Sequence, residues 1–187
     1  PISDRSFQAS HPINLEPALI VRVLSGMQVQ ERQRTLQDLV GGQSSAVPVF
    51  SAEEVQFLAP RIAKALTTAA TGEAVAFLVT SPRQGTGRLE HPVTETTAGS
   101  LYAYGLSLYV TLSQYRYAPT QTSTDDLAHR RLPDSSNLSN RTLLFTPSAA
   151  QRSDNFNRPR EGKSTDKYLA IDYQLLQHTS PSAATTE

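Results

Sequence analysis

The chain has 187 residues, with seventeen basic and seventeen acidic side chains, no cysteine and a hydrophobic share of 38%. Cancelling charge leaves no field to steer it onto nucleic acid or anionic lipid, and without thiols both disulfides and cysteine-held metals are excluded. No apolar run reaches the roughly 18–20 residues that cross a bilayer as a helix, and the length suits one domain with long appendages.

Residues 1–13, PISDRSFQASHPI, are polar and aperiodic and read as an extended arm. In NLEPALIVRVLSG, from Asn14, an early Pro17 and a closing Gly26 bracket Leu15, Ala18, Leu19, Arg22 and Val23 at helical spacing. That grammar predicts a helix, against a competing strand reading from β-branched Ile20, Val21 and Val23. MQVQERQ alternates with period two and reads as a strand or a sheet edge. RTLQDLVGG reads as one or two helical turns, and QSSAVPVF as extended chain, since Pro48 forbids helix around it. Ser51 opens the clearest element: Ser51-Ala-Glu-Glu54 is a capping box. Val55, Leu58, Ile62, Leu66 and Ala69 then recur at helical spacing to Ala70, with a kink or restart expected at Pro60 and a stop at Gly72.

EAVAFLVTS is apolar on both faces and reads as a central strand, and PRQGTGRLEHP as a loop. VTETTAG and SLYAY are strand material, and Gly105 turns the chain into LSLYVTLSQYRY. In that hairpin Leu106, Leu108, Val110 and Leu112 are expected on one face, with Ser107, Tyr109, Thr111, Ser113, Tyr115 and Tyr117 on the other. Residues 118–141 are polar, with a helical turn at TDDLAHRRL. TLLFTP is a short strand, SAAQRSDNFNRPREGKSTD a loop, and KYLAIDYQLL a last strand. The final QHTSPSAATTE lacks the means to order itself in isolation. The sum is α+β: a mainly antiparallel sheet with one or two helices on one face and long irregular N- and C-terminal extensions. The organisation reads as an arm at 1–13, a core at 14–117, and a surface-wrapping extension at 118–187 that adds one or two strands and a polar tail.

Motifs with catalytic overtones fail on context. RQGTGR (Arg83–Arg88) has glycines and arginines like a phosphate cradle, but no helix follows it. Gly42–Ala46 falls one residue short of a nucleophile elbow and lacks the strand-then-helix setting. Ser164–Lys167 matches Ser-x-x-Lys but leads into a strand. His11, His91, His129 and His178 are scattered without zinc spacing. Asp125, Asp126 and His129 fit helix capping behind Thr124 better than a metal site. Asn137-Leu-Ser and Asn140-Arg-Thr match the glycosylation pattern. No cofactor or metal is expected.

Five of the seven tyrosines lie between Thr97 and Pro119. Tyr102 and Tyr104, and Tyr115 and Tyr117, are spaced by two, as aromatics that stack bases on a sheet would be. A base-binding sheet also interleaves basic residues, and Arg116 alone does so here, so packing within the sheet is the plainer reading. The functional expectation is a non-enzymatic structural or interaction subunit of a larger assembly, meeting protein partners or itself through Tyr102, Tyr104, Tyr115, Arg116 and Tyr117 and through its flanks. The start at Pro1 without methionine and the Ser/Thr/Ala-rich tail read as an exported, bacterial-envelope protein, periplasmic, outer-membrane-associated or extracellular. The alternative is a small-ligand or carbohydrate binder using the tyrosine face with Arg83 or Arg88. Behind both stands a hydrolase in which Glu95 and Asp172 would meet.

Overall fold

A computed structural model describes residues 9–32, 45–83, 93–118, 136–152 and 167–178. The expected turns in RTLQDLVGG and TDDLAHRRL, Ser44, Arg88, the aspartates Asp125 and Asp126 with His129, His91, the Ser164 motif and the tail beyond His178 lie outside the described residues.

Pro17 occupies the first turn of α1 (Pro17–Gly26), where its missing N–H costs no hydrogen bond. Gly26 closes that helix for a reason of space: a Cβ there would stand 2.5 Å from the Phe145 ring and from the Thr146 carbonyl. The chain passes straight into β1 (Met27–Glu31) and, after β2 (Val47–Pro48), reaches α2 (Ala52–Leu66). The capping box forms as the sequence predicts, with Glu54 N donating to Ser51 Oγ at 3.2 Å and Ser51 N to Glu54 Oε2 at 2.8 Å. The helix runs unbroken past Pro60, where Arg61 donates to the Phe57 carbonyl at 2.7 Å and lies over the exposed Phe57 ring. It stops at Leu66, short of Gly72, because the Thr67 and Thr68 hydroxyls donate to the carbonyls of Lys64 and Ala65 and close the last turn.

Two antiparallel sheets follow. Three strands pair in the order β2-β1-β6, with β6 being Arg141–Phe145. Five pair in the order β3-β4-β5-β8-β7: β3 is Val75–Arg83, β4 Val93–Tyr104, β5 Ser107–Tyr117, β8 Lys167–Asp172 and β7 Gln151–Arg152. A 3-10 turn at Ser148–Ala150 precedes β7, and α3 (Tyr173–His178) follows β8. The expected last strand therefore ends early: Asp172 accepts from Gln174 N and Leu175 N and caps a helix in its place. Helices, small sheet and large sheet share one core, in which Ile20, Leu24, Met27, Leu66, Leu108, Leu112 and Ile171 are fully buried. The α+β reading holds.

Two expectations about the large sheet need correcting. The segment EAVAFLVTS is an edge strand, β3, and its outward Leu78 is 62% exposed. Apolar residues on both faces suggested two-sided burial, whereas Pro82 inside the strand is the signature of an edge. In the hairpin, Leu106 sits in the two-residue turn after Gly105, which takes φ +57°, and is half exposed. Further along, β5 uses one residue more than β4 between Thr96 and Ala98, and again between Ala98 and Gly99. The bulge between Leu112 and Gln114 rotates Tyr115 onto the core face, where it is buried with Leu108, Val110 and Leu112 rather than opposite them.

Candidate functional site

The core-facing positions of the large sheet change character along its length. From the hairpin end they run Ala103, Leu101, Gly99, Thr97, Glu95 on β4 and Val75, Phe77, Val79, Ser81 on β3, as the pairing of Val75 with Leu101 and of Ser81 with Glu95 requires. Where they turn polar, a cavity of about 750 Å³ opens between this sheet, the small sheet and the start of α2. Ser81, Arg83, Glu95, Thr97, Tyr115 and Arg116 contribute from the large sheet. Glu31, Val47 and Arg141 come from the small one, Ser51 and Glu54 from α2, and Asn137 from the segment leading to β6.

Hydrogen bonds fix the wall. Arg83 meets Glu95 at 3.2 Å and Arg141 meets Glu31 at 2.7 Å. These pairs are part-exposed and add little to stability, but they set the direction of four charged groups. Arg141 also donates to the Asn137 carbonyl at 2.5 Å and to Asn137 Oδ1. The Asn137 amide donates to the Tyr115 carbonyl at 3.0 Å, and Tyr115 N to the Ser136 carbonyl at 2.9 Å. Glu54, besides capping α2, accepts from the Ser81 hydroxyl. The Tyr115 ring lies 5.7 Å from the Arg116 guanidinium carbon and 5.5 Å from that of Arg141. Burial pushes the Tyr115 hydroxyl above its ordinary range, with the two arginines pulling the other way.

Two wall residues adopt left-handed backbone: Arg116 at φ +43° and Asn137 at φ +55°. Asparagine accepts that conformation readily. An arginine there costs on the order of 1–3 kcal/mol and persists because the β5 bulge dictates it, with Arg116 N donating to Thr97 Oγ1 at 3.2 Å.

The tyrosines singled out from sequence do not form one surface. Tyr102 is buried on the opposite face, stacked on Tyr109 at 5.2 Å with Ala9 of the arm against the pair. Tyr104 is exposed at the hairpin end, while Tyr115, Arg116 and Tyr117 lie at the far end of the same two strands. Glu95 and Asp172 do not meet: Asp172 pairs with Ser107, which pairs with Tyr104, about 30 Å along the strand from Glu95 at roughly 3.3 Å per residue. The carboxylates gathered in the cavity are instead Glu31, Glu54 and Glu95, each held by an arginine, a hydroxyl or a backbone amide. Among the described residues no three histidines, aspartates and glutamates come together to hold a metal, and no helix is long and apolar enough to cross a membrane.

Glu31, Asn137 and Arg141 were not readable as site residues. Their convergence depends on β1 pairing with β6 across more than a hundred residues of chain. Glu54 was visible only as a cap. One signal was present: the polar residues at alternate positions Ser81, Glu95 and Thr97 at the ends of otherwise apolar strands. Comparison with protein-family models, curated proteins and solved structures returns no match for this chain.

Proposed function

We propose that this domain binds a small hydrophilic molecule in the cavity between its two sheets. The carrying observation is the wall itself: about 750 Å³ bounded by three arginines, three glutamates and Tyr115, nearly all oriented by hydrogen bonds within the protein. Small-molecule sites occupy roughly 300–1,000 Å³ and use a few fixed polar groups for orientation. Binding is favoured over acid–base chemistry because each carboxylate is already engaged. A panel of sugars, sugar acids, amino acids and nucleotides, read by thermal shift and by amide NMR, tests this. A binder should raise the melting temperature and move the amide signals of Thr97, Tyr115 and Arg116. Silence of those signals across the panel would remove the reading.

The assembly subunit is a second reading, favoured by β3. It is a nine-residue edge strand with the apolar Leu78 outward, a surface suited to pairing with another strand. Sedimentation of the protein as a monomer at all concentrations, with no change on replacing Leu78 by lysine, would count against it.

A further inference from the structure

The ligand class follows from how charge is distributed around the cavity, an inference that rests on the binding reading. Arg83, Arg116 and Arg141 face Glu31, Glu54 and Glu95, so the wall is neutral as a whole. The compensation is uneven. Arg83 and Arg141 each hold a carboxylate in contact. Glu54 has one oxygen on Ser51 N and the other on the Ser81 hydroxyl. Arg116 has no carboxylate in salt-bridge contact among the described residues. Among the described residues its guanidinium faces the Tyr115 ring, and a left-handed backbone places it at the cavity wall.

We propose that the cavity takes a hydroxylated monocarboxylic acid of the sugar-acid class, with its carboxylate on Arg116. A guanidinium fork matches a carboxylate through two parallel hydrogen bonds. A neutral sugar would offer Arg116 hydroxyl acceptors but no opposite charge, a bond about half as strong as a charge-assisted one. A phosphate monoester carries close to two negative charges at neutral pH, one more than Arg116 matches, because Arg83 and Arg141 already hold carboxylates. A fatty acid finds little apolar surface beside Val29, Val47 and Pro82. The rest of the molecule faces hydroxyls and an amide, from Ser81, Thr97, Tyr115 and Asn137, which suits a chain or ring of hydroxyls.

The test is titration of the isotope-labelled full chain with glucuronate, glucose and glucose phosphate in parallel. Glucuronate should move the amides of Thr97, Tyr115 and Arg116 and bind at least about tenfold more tightly than either competitor, with affinity falling as salt rises. Arg116→Gly relieves the left-handed strain, so it should raise the melting temperature while weakening glucuronate about ten- to a hundred-fold. A residue that serves structure alone would not move these two readouts in opposite senses. Equal binding of glucose, preference for the phosphate, or unchanged glucuronate affinity in Arg116→Gly overturns this inference and leaves the cavity a binding site. If all three probes are silent while another member of the wider panel moves the same amides, the sugar-acid class alone falls. Silence from every compound removes both readings.

Discussion

On the core face of β4, Ala103 and Leu101 at the hairpin end are 0% and 2% exposed and belong to the apolar core. Thr97, farther along the same face, is 5% exposed but borders a cavity of charged groups. Those three positions are almost equally sheltered from water, and the two ends differ in how they fill the space. At the hairpin end, side chains of α1, α2 and β8 interlock with Leu101, Leu108 and Ile171, so the stabilisation is apolar burial. At the other end the inward side chains are polar. A polar group sheltered from water must find a partner, and here the partners are neighbours within the wall: Glu54 with Ser81, Arg83 with Glu95, Arg141 with Asn137 and Glu31. Walls tied in this way hold their shape around an opening, which is what a preorganised binding site needs.

If that division is right, substitutions at the two ends should differ in kind. The largest effect is expected from Leu108→Ala, which empties a fully buried position and should cost about 2–5 kcal/mol in chemical denaturation. Gly99→Ala comes next. Its new Cβ would stand 2.2 Å from the Thr111 carbonyl and 2.6 Å from the Phe77 ring, an overpacking expected to cost about 1–3 kcal/mol. At the polar end Ser51→Ala should cost only about 1 kcal/mol. Its more telling readout is local: the amide signals of Glu54 and Ser81 should shift together, since the cap and the cavity wall share the Glu54 carboxylate. A Ser51 variant as damaging as Leu108→Ala would erase the distinction between the ends.

The apolar end was legible in the sequence because its pattern is local. Val55, Leu58, Ile62 and Leu66 repeat at helical spacing, and Leu108, Val110 and Leu112 alternate, so the core can be written down before any pairing is known. The polar end was not, for two physical reasons. Its charged residues meet through the β1–β6 pairing and through the approach of α2 to β3, which no local pattern encodes. In addition, the bulges in β5 shift the alternation just where the site begins, so that strict period-two reading places Tyr115 on the wrong face. Arg116 was singled out by its place between two tyrosines. Its left-handed backbone, which ties it to the cavity, leaves no mark in an amino-acid string.

The smallest effects should appear in pH dependence, and they separate the two ends by direction. At the hairpin end His11 Nε2 accepts from Ala103 N at 3.0 Å, so the neutral ring carries its proton on Nδ1, which is buried with no partner among the described residues. Burial lowers the His11 pKa below the ordinary 6.5, opposed by the charge of Glu73. The unfolded chain then takes up a proton that the folded one resists, so this contribution is intact above 6.5 and is lost as pH falls through it. Protonation also removes the acceptor for Ala103 N, so the arm should loosen from β4. A His11→Gln variant, which keeps an acceptor without titrating, should show a flatter loss of stability on mild acidification; an identical slope would remove His11 from the account. Tyr115 at the cavity behaves in the opposite sense. Burial raises its pKa above 10.0 despite Arg116 and Arg141, so its contribution is full below that value and fades as pH rises through it. Tyr115→Phe keeps the ring beside both arginines and removes the titration, so it should flatten the alkaline limb alone and delete a late step from the phenolate absorbance curve. If the variant instead altered the acid limb, the two ends would be coupled, and the cavity could not be treated as a wall that holds itself.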